Sequence, residues 1–233
     1  FVGTSAYPSV TVNDVPFAER QDYFDVGFQA KLSRYFTYGI DAYYRISKNL
    51  IDEGQFGAPI ILTPFNYRQG RIGGIEANMS YQRGGLLAYA NFAAAKAKGR
   101  DIVSSQFSFG QDDLDYISRH YIYLDHDQSF TGSAGLSYAF DQGTKLGGSM
   151  IYGSGLRRDD DVNSIPNGAK LSPYAQVNLT ASQHLAGPNL DIRFDVINVL
   201  DHKYEIRDGT GVGVGAPQYG PRRGFFVGVS KAF

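Results

Sequence analysis

Apolar and polar residues alternate with a period of two along most of the chain. The first clear segment has an apolar residue at every second position, namely Phe24, Val26, Phe28, Ala30 and Leu32. Successive side chains of a β-strand point to opposite faces, so this segment predicts a strand with one apolar and one polar face. Eight further segments show the same alternation, within residues 38–47, 75–82, 86–96, 129–140, 146–152, 174–181, 190–196 and 224–233.

The connections between these segments alternate between short and long. Turns of about three to five residues follow the first, third, fifth and seventh segments, which is the usual length of a hairpin turn. Long connections rich in Gly, Pro, Asp or Asn follow the even-numbered segments, at residues 49–68, 99–125, 157–170 and 205–222. Antiparallel strands with short turns at one end and long loops at the other are typical of a transmembrane, up-and-down β-barrel.

Charged residues on the polar faces favour this interpretation over a soluble β-sandwich or a lipocalin-like barrel. They lie in the middle of predicted strands, at Asp41, Arg45, Glu76, Asp191, Arg193 and Asp195. Ionised side chains are costly in a dry protein interior but normal in a water-filled lumen. The sequence therefore predicts a barrel with a polar inside and an apolar outside.

Composition excludes several other classes of protein. The 233 residues include no Cys, which excludes a disulfide framework and a cysteine-zinc site. A formal net charge of −1, without any block of Lys or Arg, argues against a nucleic-acid partner. No apolar run approaches the roughly 18 to 20 residues of a membrane-spanning helix. The mean hydropathy of −0.28 is low for a membrane protein, and strands with one wet face account for it.

The final segment carries a pattern that fixes the expected orientation. Phe225, Val227, Val229 and Phe233 share one face of this strand, and the chain stops on the aromatic residue. The pattern resembles the carboxy-terminal signature that the barrel-assembly machinery of bacterial outer membranes reads. Lys231 departs from the pattern, although its long stem can reach the head-group level. If Phe233 lies at the periplasmic rim, the short turns are periplasmic and the long loops are extracellular.

Three stretches of sequence resemble TonB-dependent receptors. Residues 198–204, Asn-Val-Leu-Asp-His-Lys-Tyr, are similar to the N-L-F-D-x-x-Y motif of their penultimate strand. Residues 73–76, Gly-Gly-Ile-Glu, are similar to their R-G-I-E strand start, with Gly in place of Arg. Residues 207–224 resemble the last extracellular loop of one subset of these receptors.

The resemblance implies a 22-stranded barrel whose lumen is closed by an amino-terminal plug domain. Nine strands is an odd count, whereas bacterial single-chain barrels use even numbers, so we expect this chain to be a fragment. Residues 1–233 would form part of the barrel domain, with residues 1–21 as the tail of an extracellular loop. The plug domain would be absent from this chain.

The function that the resemblance implies is uptake of a ferric siderophore or similar metal chelate across the bacterial outer membrane. The expected partners are outer-membrane lipid and lipopolysaccharide, the barrel-assembly machinery, and the TonB-ExbB-ExbD complex through the plug region. No cofactor and no nucleic acid is expected. The alternatives are a smaller porin-like or adhesin barrel without energy coupling, and an outer-membrane enzyme. The sequence lacks G-x-S-x-G, H-E-x-x-H and G-x-x-x-x-G-K-[ST], so catalysis is not expected.

Two histidines border the longest connection and are the first candidate ligand-binding residues. His120 and His126 lie close to Tyr121 in the sequence. Neutral imidazole is a common metal ligand, so a receptor for haem or a metal chelate could use His120 and Tyr121. The alternative is that these are exposed loop residues with no ligand.

Three arginines in the predicted extracellular loops are the other candidates for ligand binding. Arg157 and Arg158 precede three aspartates at residues 159–161, and they could bind an anionic chelate or pair with those aspartates in solvent. Arg222 could contact a chelate or the phosphates of lipopolysaccharide. Residues 209–215, in which Gly alternates with other residues, predict a flexible loop strand, because the strand-to-helix context of a phosphate-binding loop is missing.

Overall fold

A computed structural model describes residues 15–56 and 61–231, and the side chains of Phe56 and Ile61 are not described. Its helices are a 3-10 turn at Gln106–Ser108 and α1 at Gln111–Arg119. Its strands are β1 (Arg20–Lys31), β2 (Phe36–Phe56), β3 (Ile61–Arg83), β4 (Leu86–Ile102), β5 (Ile122–Tyr123), β6 (Phe130–Ala139), β7 (Thr144–Gly153), β8 (Arg157–Asp160), β9 (Ile165–Lys170), β10 (Tyr174–Leu185), β11 (Leu190–Ile197), β12 (Glu205–Asp208), β13 (Pro217–Tyr219) and β14 (Gly224–Lys231).

Nine of these strands form one antiparallel sheet in which neighbours in sequence are neighbours in space. Its order is β1-β2-β3-β4-β6-β7-β10-β11-β14, and β5 adds a short pairing at the end of β4. Each predicted strand coincides with one strand of this path, which confirms the all-β, up-and-down prediction. β1 begins at Arg20, so the last two residues of the predicted loop tail belong to a strand. Residues 1–14 and Phe233 lie outside the described residues.

The register of the sheet joins the apolar residues of neighbouring strands into continuous rows. Residues directly opposite each other on paired strands share a face of the sheet. One row crosses five strands and contains Val26, Ala42, Ile75, Ala94 and Phe130. Val26 is 72% exposed and Ile75 is 56% exposed. A broad apolar surface of this kind marks a face that contacts lipid rather than water.

The opposite face of the sheet is polar. Asn91 in β4 donates a hydrogen bond to Ser133 Oγ in β6 at 3.1 Å. In β11, Arg193 Nε donates to Asp195 Oδ2 at 2.8 Å. These pairs alternate along their strands with the apolar rows, so they occupy the face that the sequence assigned to a wet lumen.

The first long connection is largely a strand pair rather than a loop. β2 and β3 continue to pair past the apolar rows, from Leu50 opposite Tyr67 to Phe56 opposite Ile61. Asn49, which has a left-handed φ of 54°, is skipped in this register. The prediction of a loop over residues 49–68 is therefore wrong. The Gly and Pro content of this segment suggests a loop. Pairing of the two strands instead gives its backbone N–H and C=O groups hydrogen-bond partners.

The other long connections also contain regular structure. Residues 99–125 include the end of β4, the 3-10 turn, α1 and β5, while β8–β9 and β12–β13 are two small hairpins. The period-two analysis missed α1, in which Leu114 and Ile117 lie about one turn apart and Ile117 is fully buried. Within residues 15–56 and 61–231, neither helix has the length and apolar character needed to cross a membrane.

These connections pack together around a hydrophobic core of their own, which we call the loop core. Its members come from β2, β3 and β4, from the segment that runs from the 3-10 turn through α1 and β5 to Leu124, and from the connection between β12 and β13. They are Leu50, Phe65, Tyr67, Ile102, Phe109, Ile117, Ile122, Leu124 and Val212. The long connections at this end of the sheet therefore pack against one another.

Candidate functional site

A cluster of ionisable side chains lies beside the loop core, and we call it the loop cluster. It consists of Asp52 in the extension of β2, Asp125 and His126 after β5, and Arg207 in β12. His126 Nδ1 lies 2.9 Å from Asp125 Oδ1 and 3.5 Å from Asp52 Oδ1. Arg207 Nη1 donates to Asp125 Oδ2 at 2.6 Å. Three separate connections therefore meet at Asp125.

The two carboxylates of the loop cluster differ in how they are satisfied. Asp125 Oδ2 accepts hydrogen bonds from Arg207 and from the Val214 backbone N–H. Asp52 Oδ1 accepts from the Glu53 N–H, but Asp52 Oδ2 has no hydrogen-bond partner among the described residues. The buried hydroxyl of Tyr67 has none there either. Polar atoms that are buried without a partner are rare and need an explanation.

Burial and charge shift the pKa values of this cluster in opposite directions. Burial raises the pKa of Asp52 to about 7, against the lowering effect of His126. Burial also acts to raise the pKa of Asp125, but the hydrogen bond from His126 and the charge of Arg207 together lower it. Burial raises the pKa of Tyr67 well above its usual range, and repulsion from Asp52 and Asp125 adds to the shift. The Tyr67 hydroxyl therefore lies within the field of both carboxylates.

Arg157, a predicted ligand-binding residue, is buried in a structural ion pair. Its Nε donates to Asp127 Oδ2 at 2.9 Å, and the side chains of Arg157 and Asp127 are only 4% and 2% exposed. The guanidinium also donates to Ser129 Oγ and lies 3.4 Å from the centre of the Tyr123 ring. Asp127 Oδ1 accepts from the Ala97 N–H. The pair ties β8 to β4 and to the start of β6, and this placement argues against direct contact with a solute.

The glycine-alternating run is anchored rather than flexible. Val212 is buried in the loop core, and its backbone N–H and C=O are both bonded to the side chain of Asn167. The Asn167 side chain also donates to the Tyr123 carbonyl. Gly211 has a φ of +88°, and a Cβ there would overlap with Asn167 Oδ1. The prediction of a flexible loop strand at residues 209–215 is therefore wrong, because one buried amide holds the run against β9.

The other predicted ligand-binding residues make separate contacts. His120 follows α1 and stacks on Tyr116 with ring centres 4.4 Å apart. Arg158 Nη1 lies 3.5 Å from Asp161 on the exposed β8–β9 hairpin. Arg222 Nε donates to Asp201 Oδ1 at 2.7 Å. Ligand contact by these residues stays a prediction.

Tyr121 belongs to an outward-facing positive surface, which we call the basic belt. Its members continue the lipid-facing rows at the long-loop end of β1 to β4, and they are Arg20, Lys48, Arg71, Lys98 and Arg100. The Tyr121 hydroxyl donates to Gln69 Oε1 at 2.7 Å. Its ring lies 4.8 Å from the Arg71 guanidinium and 5.1 Å from that of Arg100. The sequence shows no block of basic residues because these five residues come from four strands.

The N-V-L-D motif near the end of the chain has a structural role. The fully buried Asn198 amide donates to the carbonyls of His202 and Pro221. Tyr204 stacks on Tyr174 with ring centres 4.3 Å apart, and its hydroxyl donates to Gln176. Together with the Asp201–Arg222 pair, these contacts fasten the last long connection to the ends of β10, β11 and β14.

The strand order, the exposed apolar face and the structured long loops define a β-barrel of the outer-membrane class. The family model described as "TonB dependent receptor-like, beta-barrel" matches residues 3–199. The chain therefore belongs to the TonB-dependent receptor β-barrel family, whose members lie in the outer membrane of Gram-negative bacteria. This confirms the resemblance and the localisation that the sequence predicted.

Solved structures share the fold. The FrpB iron transporter from Neisseria meningitidis (F3-3 variant) matches at a TM-score of 0.62 and 17% identity, over 92% of this chain and 31% of FrpB. The copper transporter OprC matches at 0.66 and 19%, over 97% and 33%. The ferric-catecholate import receptor Fiu from K12 E. coli matches at 0.61 and 14%, over 91% and 27%. The chain thus spans about a third or less of each structure, and no curated protein matches the sequence.

Proposed function

We propose that this chain is the carboxy-terminal part of the barrel of a TonB-dependent transporter that takes up a ferric siderophore or similar metal chelate. The observation that carries the proposal is the family match over residues 3–199, on a sheet whose long loops pack into an ordered core. The printed names of FrpB, OprC and Fiu, which refer to iron, copper and a ferric catecholate, support a metal or metal chelate as the ligand.

The proposed function assigns different roles to the strands and to the long loops. The strands span the membrane, and the packed loops contribute to capture of the ligand. Energy would come from the TonB-ExbB-ExbD complex acting through a plug region. The proposed activity requires binding and a change of conformation rather than covalent chemistry, so we assign no catalytic residue.

Growth and uptake in a strain that lacks the gene for the full-length protein test this proposal. We expect the strain to lose uptake of one class of radioactive iron chelate, and we expect inactivation of TonB to cause the same loss. Unchanged uptake of every ferric siderophore and of cobalamin would contradict the proposal. Uptake that persists without TonB would instead favour the porin-like alternative.

Lipopolysaccharide is the proposed lipid partner of the basic belt. The belt adjoins the apolar rows on the same face, where phosphate groups of an anionic outer leaflet would meet it. Tyr121, which packs on Arg71 and Arg100, would hold two of these cations in place.

Lipid that copurifies with the protein tests this partner. We expect a Lys48→Gln, Arg71→Gln double variant to retain less lipopolysaccharide per protein by mass spectrometry. Lys231→Gln is the matched control, since Lys231 lies on the same face at the short-turn end of β14. Equal lipopolysaccharide content in all three proteins would contradict the assignment.

A further inference from the structure

We infer that Asp52, Asp125 and His126 form a binding site for a divalent cation of the zinc type, which fastens the long loops to one another. The site would hold a resident ion rather than transported cargo. The inference concerns contacts within the loops of the barrel, so it does not depend on the proposed uptake function.

The geometry of the three side chains fits a metal ion. One ligand atom from each residue lies within 4.8 Å of the other two. The Asp125 Oδ1 and Asp52 Oδ1 atoms lie 2.9 Å and 3.5 Å from His126 Nδ1, and a bound ion would replace the hydrogen bond between His126 and Asp125. Ligands at about 2.0 to 2.1 Å from a tetrahedral zinc ion are about 3.3 Å apart, which falls between these two distances. Carboxylate oxygen and imidazole nitrogen are both ordinary zinc ligands.

Two unpartnered buried groups are a second, independent indication of a missing ligand. The Asp52 side chain is only 4% exposed, yet its Oδ2 has no hydrogen-bond partner in the described part of the chain. The hydroxyl of Tyr67, which is 0% exposed, is also unpartnered there and lies within the field of Asp52 and Asp125. Leaving such groups without a hydrogen-bond partner costs free energy. A cation bound by the Asp52 carboxylate would lower this cost for Oδ2.

The net charge of the side chains around the site favours a bound cation. Arg207 neutralises one of the two carboxylates, so the four side chains carry a formal charge of −1 when both carboxylates are ionised and the imidazole is neutral. The second oxygen of Asp125 is already held by Arg207 and by the Val214 N–H. Metal-binding carboxylates are commonly oriented by hydrogen bonds of this kind.

A bound ion would link three connections at once. Asp52 extends from β2, while Asp125 and His126 lie between β5 and β6. Through Asp125, the ion would also reach Arg207 in β12 and the glycine-alternating run at Val214. The inferred effect is greater order of the loops on the proposed extracellular side.

The test uses the full-length protein, purified in detergent and freed of metal with a chelator. We expect isothermal titration to show one Zn²⁺ bound per chain, and Co²⁺ to give the visible absorption of a tetrahedral site. Asp52→Asn and His126→Gln should each weaken Zn²⁺ binding by about tenfold or more, since each removes a ligand. His202→Gln is the matched control, because His202 is an exposed loop imidazole outside the cluster.

A folding check and a second measurement keep the inference falsifiable. Heat-modifiable migration on gels shows whether each variant has a folded barrel. If a variant fails to fold, limited proteolysis of the wild-type protein decides, and we expect removal of metal to speed cleavage within residues 99–125. The inference would be overturned if the wild-type protein did not bind Zn²⁺ or if folded variants bound Zn²⁺ as tightly as the wild type. It would also be overturned if the rate of cleavage were the same with and without the metal. None of these outcomes bears on chelate uptake.

Discussion

At the residue scale, the loops are held by a few buried polar side chains whose partners lie far away in the sequence. The pair formed by Asp127 and Arg157 and the Asn167 amide each join two or three connections. Short-range sequence patterns carry no record of such contacts. The long-range contacts explain why residues that resemble loop residues in the sequence are almost completely buried.

The buried Arg157–Asp127 pair and the exposed Arg158–Asp161 pair allow a matched comparison. Asp127→Asn leaves the Arg157 charge buried and uncompensated, which we expect to cost about 3–5 kcal/mol. Asp161→Asn removes a solvent-exposed partner, and exposed pairs contribute about 0–1 kcal/mol. The rate of proteolysis within residues 99–170 of the full-length protein should rise strongly for the first variant only. Equal rates for the two variants would contradict the structural role of Arg157.

Gly211 provides a second test at single-residue resolution. Gly211→Ala forces a left-handed φ on a residue with a Cβ, at a cost of about 1–2 kcal/mol, and places that Cβ against Asn167. Gly187→Ala is the control, since no atom lies within 4 Å of a Cβ built there. We expect faster proteolysis of the last long connection in the Gly211 variant alone. Normal protection in that variant would show that the run is not anchored through Asn167.

The sequence identified only part of the loop cluster. His126 was recognised beside the longest connection, because a histidine next to a tyrosine-rich loop is a candidate ligand. Asp52 and Asp125 were missed, since nothing near either residue signals that the β2 extension reaches the segment before β6. Proximity of this kind depends on loop packing, which the alternation of strands does not encode.

At the element scale, the strands could be predicted because apolar and polar residues alternate within each one, as its two environments require. Lipid on one face and water on the other impose the period of two, and a slip of one residue would exchange the faces. The strand extensions beyond Lys48, the two small hairpins and α1 lie past the level of the apolar rows. They were missed because that constraint no longer applies there.

Two neighbouring residues of β3 test the assignment of the faces. Ala77 lies in an apolar row between Ile40 and Phe92, while Asn78 faces the polar side. We expect Ala77→Arg to destabilise the folded barrel by about 2–4 kcal/mol, the cost of a lipid-facing charge near the midplane. Asn78→Arg should have a much smaller effect on urea unfolding of the full-length protein in lipid vesicles. The opposite order would show that the two faces are exchanged.

The last strand carries the proposed assembly signal. Phe225, Val227 and Val229 lie opposite Val196, Phe194 and Ile192 on the apolar face of β14. This arrangement supports the proposal that the barrel-assembly machinery reads these side chains together with Phe233, which lies outside the described residues.

At the scale of the whole molecule, the chain combines a membrane-spanning sheet with a compact set of loops at one end. The family match and the solved structures agree with this architecture, and the chain spans about a third or less of each of those structures. The central claim is that the packed loops stand on the extracellular side and the short turns on the periplasmic side.

A protease site inserted into the full-length protein tests that claim most directly. One insertion is placed next to Gln111, at the start of α1, and the other next to Gly84, in the turn between β3 and β4. We predict that protease added to intact cells cuts at Gln111, and that it cuts at Gly84 only after the outer membrane is opened. Cutting at Gly84 but not at Gln111 on intact cells would contradict the account.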